Sequence, residues 1–378
     1  MSRGIYVHIP FCLVRCSYCD FNAYAGLDHL AGDYVKALRR EITSLADRER
    51  VDTIFFGGGT PTQLDPKTLG SILGGIKESF EVSPDSEVTV EANPETIDSR
   101  MLDGLLSQGF NRLSVGVQST SSAVLEKLDR VHSAERALQA LSLASAAGFR
   151  HLNADLIYGT QGETAREWSD SLEAVLQTGP NHVSCYALTV EEGTPLAARI
   201  ERGFPQPDED DQAEKYERAH RLLVGAGFGR YEISNWALPG GECRHNLRYW
   251  HGGEYLGLGA GAHSHVSGVR RWNLKNPRTY IAKSPDVIEG AEQLDPEERM
   301  EEEAILALRT ARGLSRAEFL LRWGEDPVEL WSDVFRDLGA QGLVSVTSES
   351  VAPTDRGFLL NGYVSRAILS TLPRRVLA

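Results

Sequence analysis

Apolar and polar positions follow two alternating regimes along the first half of the chain. Short β-rich apolar runs occur at Ile5–Ile9, Val51–Phe56, Val88–Glu91, Arg112–Val117, Leu152–Ile157 and Val183–Leu188. Each ends in a glycine-rich or polar turn, and amphipathic stretches of helical spacing follow. Val35, Leu38, Ile42 and Leu45 recur at that spacing, and Ser133–Ala147 reads as a helix closed by Gly148. Six such units fill residues 4–188 at about 31 residues each, the length of a strand–helix repeat. Strand–helix alternation implies a parallel sheet. A closed eight-fold barrel takes about 250 residues. Six units therefore predict an incomplete, open-sided (βα)6 TIM-like barrel over residues 1–190.

Beyond it the pattern changes. Pro205, Pro207 and the acid run Asp208–Asp211 read as a linker before a helix near Ala213–Val224. Tyr231–Trp236 reads as a strand, and glycine-, histidine- and aromatic-rich sequence to about residue 275 reads as loop. Residues 191–290 are thus expected to close the barrel's open side. Residues 291–378 form a separate small α+β module. Ser315–Glu318 is a capping-box pattern opening a helix with Phe319 and Leu320. A second helix follows near Leu330–Leu338, and LVSVTSESV reads as a hairpin, which together suggest a winged-helix-like shape.

Charge decides what that shape is for. Lys plus Arg total 39 against 53 Asp plus Glu, a net charge of −14 over 378 residues. Such a chain repels phosphate backbones at long range, and its acidic C-terminal module lacks the basic footprint of a DNA reader. No nucleic-acid partner is expected. No run of 18 apolar residues predicts a spanning helix, and the N-terminus lacks signal-peptide anatomy. The expectation is a cytoplasmic protein.

Three of the five cysteines fall within eight residues, as Cys12-x3-Cys16-x2-Cys19. The triplet follows the first strand, at the C-terminal mouth where barrel loops carry chemistry. Three close thiolates can hold three irons of a cubane cluster and leave the fourth open. A zinc site would want a fourth ligand nearby, and Asp20, Phe21 and Asn22 do not offer histidine or cysteine. Cys185 reads as core. Cys243 stands two residues before His245, where it reads as filler or as a haem contact.

This triplet, with Tyr18 before the third cysteine, resembles the radical S-adenosylmethionine (SAM) superfamily. In that family the open iron takes the SAM amino and carboxylate groups, and reductive cleavage of the sulfonium bond supplies a 5′-deoxyadenosyl radical. Gly57-Gly58-Gly59-Thr60-Pro61 after the second strand resembles the motif that grips the SAM amino group. The resemblance implies SAM contacts at Tyr6, Tyr18, Gly58, Gly59, Thr60, Glu91, Gln118, Arg130, Asp155 and Ala187. Glu91 would bond the ribose hydroxyls and Arg130 the carboxylate.

IYVHIPFC, GGGTPT and GLGAGAHS together resemble the branch containing oxygen-independent coproporphyrinogen III oxidase and its haem-chaperone relatives, from about residue 4 to residue 366. The oxidases carry a fourth cysteine two positions after the third, where Phe21 stands here, and an N-terminal arm before the first strand. His245-Asn246-Leu247-Arg248-Tyr249-Trp250 fits the HNxxYW pattern of the haem-chaperone family. If it is helical, His245 and Tyr249 share a face. A histidine can ligate haem iron, and Tyr249 and Trp250 offer flat faces to a porphyrin. His263 and His265 alternate on a possible strand and are further pocket candidates. Gly257–Gly261 reads as a tight backbone passage near the SAM site. The resemblance implies a haem chaperone that binds a [4Fe–4S] cluster on Cys12, Cys16 and Cys19, together with SAM and haem. It would pass haem to an acceptor, expected at the membrane, with peripheral association during transfer. The alternative is a radical SAM porphyrinogen oxidase.

Overall fold

The computed structural model describes residues 2–47, 49–369 and 371. Its centre is one open sheet. Strands β1 (Arg3–Ile9), β4 (Arg50–Gly58), β5 (Glu81–Ala92), β6 (Arg112–Gln118), β7 (His151–Tyr158) and β8 (His182–Ala187) lie side by side in that order, all parallel. Two two-residue strands, β2 (Phe11–Cys12) and β3 (Tyr24–Ala25), pair with each other beyond the end of β1. The expected six-unit partial barrel is therefore present, and β5 starts earlier than its apolar run, at Glu81.

Helices between the strands form where their caps and apolar stripes predict. Ala31–Ser44 buries Tyr34, Val35, Leu38 and Ile42. Ala134–Ala147 starts at Ser133, whose side chain accepts from the Arg136 N–H, and stops at Gly148 with φ +89°. Both ends use standard cap chemistry. The barrel core contains Val7, Ile54, Val90, Val115, Ala154 and Val183, one or more from each parallel strand.

Residues 191–290 extend the sheet at both edges. The acid run is helix, not linker: Asp208 caps Glu209–Gly225 and accepts from the Asp211 N–H. Glu209, Asp210 and Asp211 fill the first turn, where the helix dipole favours negative charge. The single strand expected over 231–236 is two, β9 (Gly229–Glu232) and β10 (Asn235–Ala237), antiparallel to each other. Glu232 Oε1 accepts from the Ser234 N–H at 2.9 Å and fixes the turn between them. β10 pairs with β8 at one edge.

At the other edge the region expected to be loop is β11 (Tyr255–Leu258), β12 (His263–Val266) and β13 (Val269–Asn273), with β14 (Ile288–Gln293) outermost. β11 runs parallel to β1. Its glycines do not mark a loop. A Cβ at Gly257 would lie 2.0 Å from the His263 carbonyl oxygen, so only glycine admits the approach of β12. Buried Glu41 ties this edge to the first helix: its carboxylate accepts from Gly259 N–H, Asn273 Nδ2 and Tyr280 OH.

The C-terminal module has its own core, including Phe319, Trp331, Phe335, Val351 and Ile368. Ser315 caps Arg316–Trp323. The hairpin is β16 (Val344–Val346) with β17 (Ser350–Pro353), and β15 (Leu314–Ser315) completes a three-stranded sheet. Helix Pro296–Ala307 begins the module and lies toward the barrel. Among the described residues no helix is long and apolar enough to cross a membrane.

Candidate functional site

The C-terminal ends of the parallel strands surround a cavity of about 600 Å³. Cys12, Cys16 and Cys19 all line it, with Tyr18, Gly58, Gly59, Thr60, Glu91, Gln118, Arg130, Asp155 and Ala187. Of the predicted SAM residues, Tyr6 alone lies outside, on the neighbouring cavity.

The cysteine loop is held by short contacts. The Cys19 N–H donates to the Cys16 carbonyl at 3.2 Å. Cys12 Sγ lies 3.6 Å from Thr60 Oγ1. Arg130 Nη1 donates to Cys16 Sγ at 3.4 Å and Nη2 to the Gly116 carbonyl at 3.0 Å, while Nε is buried without a partner. Among the described residues no group of three His, Cys, Asp or Glu side chains is placed to hold a single metal ion. Three soft thiols on one cavity wall, with a fixed guanidinium at one of them, fit the donor set of a cubane cluster with an open iron.

Glycine makes room around this loop. A Cβ at Gly59 would lie 2.6 Å from the Phe11 carbonyl and 3.1 Å from Cys12 Sγ. Gly58 adopts φ +111°, and its N–H donates to Glu91 Oε2 at 3.2 Å. Burial, then the Asp155 carboxylate, push Glu91 up to about 8. Asp155 accepts from Ser114 Oγ at 2.6 Å and Asn153 Nδ2 at 2.8 Å. Burial raises its carboxyl too. Gln118 adopts the left-handed region at φ +66°, a conformation rare outside glycine that ends β6 abruptly at the cavity.

A second cavity, about 760 Å³, adjoins the first; Phe21, Gly58 and Glu91 line both. Phe21 is 62% exposed. HNxxYW is helical over Arg244–Trp250, and its residues part company. Tyr249 and Trp250 line the second cavity. His245 does not: it is 0% exposed, with Nδ1 3.0 Å from Thr53 Oγ1 and Nε2 2.8 Å from Tyr249 OH. Both ring nitrogens are engaged, so here it anchors Tyr249 to β4. Trp250 Nε1 is buried without a partner, and the Arg309 guanidinium lies 4.4 Å from the centre of its ring.

Comparison with known proteins defines the lineage. Residues 6–175 match the radical SAM superfamily and residues 294–360 the HemN C-terminal domain. The chain is 43% identical over 376 residues to the haem chaperone HemW of Mycobacterium tuberculosis, covering 97% of this chain and 94% of that protein. It is 35% identical to HemW of Bacillus subtilis, covering 98% and 100%. The chain belongs to the HemW family. The fold of HemW-family chains is shared more widely. The solved structure of Escherichia coli coproporphyrinogen III oxidase (HemN), a radical SAM enzyme, superposes with TM-score 0.85 at 24% identity, over 98% of this chain and 91% of that one.

Several cavity residues were not singled out from sequence. His8 bonds Tyr6 OH and the Asn22 carbonyl, and Asn22 Nδ2 donates to the Ala260 and Lys275 carbonyls, tying the cysteine loop to the segments that follow β11 and β13. Arg299, Glu302, Glu303 and Trp323 bring the C-terminal module into the larger cavity. Arg299, Glu302 and Glu303 lie in the acid-rich PEERMEEEAILA helix and Trp323 ends Arg316–Trp323, and neither pattern by itself signals a cavity. Cys185 is buried core, as expected, and Cys243 is buried with Sγ 3.6 Å from Glu87 Oε1.

Proposed function

We propose that this chain is a haem carrier: it binds a [4Fe–4S] cluster and SAM at the strand ends, holds haem beside them, and passes it to an acceptor protein. The observation that carries the reading is the pair of adjoining cavities, one lined by the three cysteines and the other by Tyr249 and Trp250. The names of its relatives, haem chaperones over nearly the whole chain, support it. An acceptor at the membrane accords with a chain that must release an apolar cargo.

Cys12, Cys16 and Cys19 would hold the cluster, which supplies a low-potential electron and an iron open to SAM. Arg130 would meet the SAM carboxylate, and Gly58, Gly59 and Thr60 the amino group. Glu91 would bond the ribose hydroxyls, with Gln118, Asp155 and Ala187 completing the wall. Uncharged Glu91 can donate as well as accept there. Tyr18 would complete the same wall, while Tyr6 lies on the neighbouring cavity. Tyr249 and Trp250 present flat faces to haem, with His245 positioning Tyr249.

Phe21 stands where the oxidase pattern has its fourth cysteine, and it lines both cavities. Incubating reduced, SAM-loaded protein with coproporphyrinogen III should leave the substrate intact by chromatography. Sustained decarboxylation to protoporphyrinogen IX would make the chain an oxidase.

A further inference from the structure

His245 has no free ring nitrogen and no place on the larger cavity, so a bound haem iron needs another protein ligand or none. Three histidines line that cavity: His8, His263 and His265. His8 spends both nitrogens, on Tyr6 OH and the Asn22 carbonyl, each at 3.0 Å. His263 and His265 sit two apart on β12, so their rings leave the same face of the strand. His263 is exposed and stacks on Trp272, ring centres 6.0 Å apart. His265 packs on the edge of Tyr255, and its Nε2 is buried with no hydrogen-bond partner. Burial first, then neighbouring cations, lower both imidazoles, which keeps them in the neutral, metal-ligating form.

Charge points the same way. Arg15, Arg270, Lys275, Arg299 and Arg322 line the cavity, against Asp20, Glu91, Glu302 and Glu303. Arg270 pairs with Glu302, and Arg322 with Glu303 at 2.7 Å. Glu91 keeps its proton at neutral pH. The cavity is therefore locally cationic in a chain of net charge −14. A flat, apolar ligand with an acidic edge and a metal centre fits a pocket with aromatic walls, free imidazoles and surplus cations. The volume, about 760 Å³, lies within the usual range for small-molecule sites, about 300–1,000 Å³.

Building on the haem-carrier reading, we propose that the His263/His265 pair on β12 supplies the iron ligand, and that Arg15, Lys275 and Arg299 receive the propionate carboxylates. Tyr249 and Trp250 then act as wall rather than ligand. The C-terminal module, through Arg299, becomes part of the cargo site.

The test uses the anaerobically purified full chain with its cluster, titrated with haem and, separately, with haem dimethyl ester, whose carboxylates are blocked. His263→Ala/His265→Ala should lose the wild-type Soret spectrum and bind haem at least about ten-fold more weakly. Iron and sulfide content should stay normal, and added imidazole should restore the spectrum. A wild-type Soret spectrum and affinity in that variant would overturn the assignment. Should the variant misfold, the ester decides: wild-type protein should bind it at least about ten-fold more weakly than haem. Equal binding would overturn the carboxylate half and with it the docking direction. Wild-type protein that binds no haem at all overturns the carrier reading itself, a result distinct from both.

Discussion

Arg130 and Cys16 are joined directly, Nη1 to Sγ at 3.4 Å, although 114 residues separate them in the chain. The same guanidinium reaches the Gly116 carbonyl at the end of β6. In the proposed site this is a cation fixed at a cluster thiol, and so beside the ligand that would share the cluster's open iron. Arg130→Ala should therefore weaken SAM binding by about ten- to a hundred-fold, the loss of a charged hydrogen bond. Iron content should remain near normal, because three thiolates still hold the cluster. Equilibrium SAM binding alongside iron and sulfide analysis checks both halves; unchanged SAM affinity would place the carboxylate elsewhere.

The cysteines divide into two classes. Cys12, Cys16 and Cys19 share a cavity, while Cys185 and Cys243 are buried singly. Alanine at any of the first three should remove most cluster iron. Alanine at Cys185 or Cys243 should cost some stability but leave iron and sulfide content unchanged. Near-normal iron in Cys16→Ala would refute the cluster assignment.

His245 is a scaffold in this structure. His245→Ala would strip partners from Thr53 Oγ1 and Tyr249 OH and remove a ring stacked on Phe55 at 5.3 Å. Buried groups left unpaired cost about 1–3 kcal/mol each, so chemical denaturation should show a clear loss of stability. Any haem that still binds should keep its iron-ligand spectrum, since the proposed ligand pair is on β12. A stable variant with an altered iron-ligand spectrum would reverse that order.

Glu91 carries a pH signature. In the unfolded chain it ionises in the ordinary carboxylate range, near 4.5; in the folded chain burial and Asp155 push it up to about 8. Between those values the folded protein keeps a proton that the unfolded chain has lost, so this group's contribution falls as pH rises. Glu91→Gln should flatten that fall in SAM-free protein while weakening SAM binding. His8, lowered to about 4 by burial, acts oppositely: stability is lost as pH drops below about 6.5, because only the unfolded chain takes the proton. Denaturant midpoints across pH separate the two limbs; identical profiles for Glu91→Gln and wild type would show that Glu91 is not held uncharged.

The barrel was legible because each repeat writes its own pattern: Leu113 and Val183 belong to apolar runs buried as strands, and Leu38 and Ile42 recur on a helix face. The sheet's outer strands were not, because their signals are tertiary. Gly257 reads as loop until β12 is seen to pass within contact of it. The acid run at 208–211 reads as linker until Asp208 is seen capping a helix. At the site, the triplet and Arg130 were readable by spacing and resemblance. The contribution of Arg299 and Trp323 was not, since nothing in the C-terminal sequence shows which face turns toward the barrel. HNxxYW was found as a motif, but only packing separates a buried His245 from the cavity wall of Tyr249 and Trp250.

The carrier account is tested most directly by an anaerobic equilibrium titration of the cluster-loaded protein with haem, followed by Soret absorbance. The account predicts saturable binding that reaches one haem per chain, with the cluster intact and no porphyrin product formed when reductant and SAM are added. A linear, unsaturable absorbance rise, or conversion of the added tetrapyrrole, would contradict it.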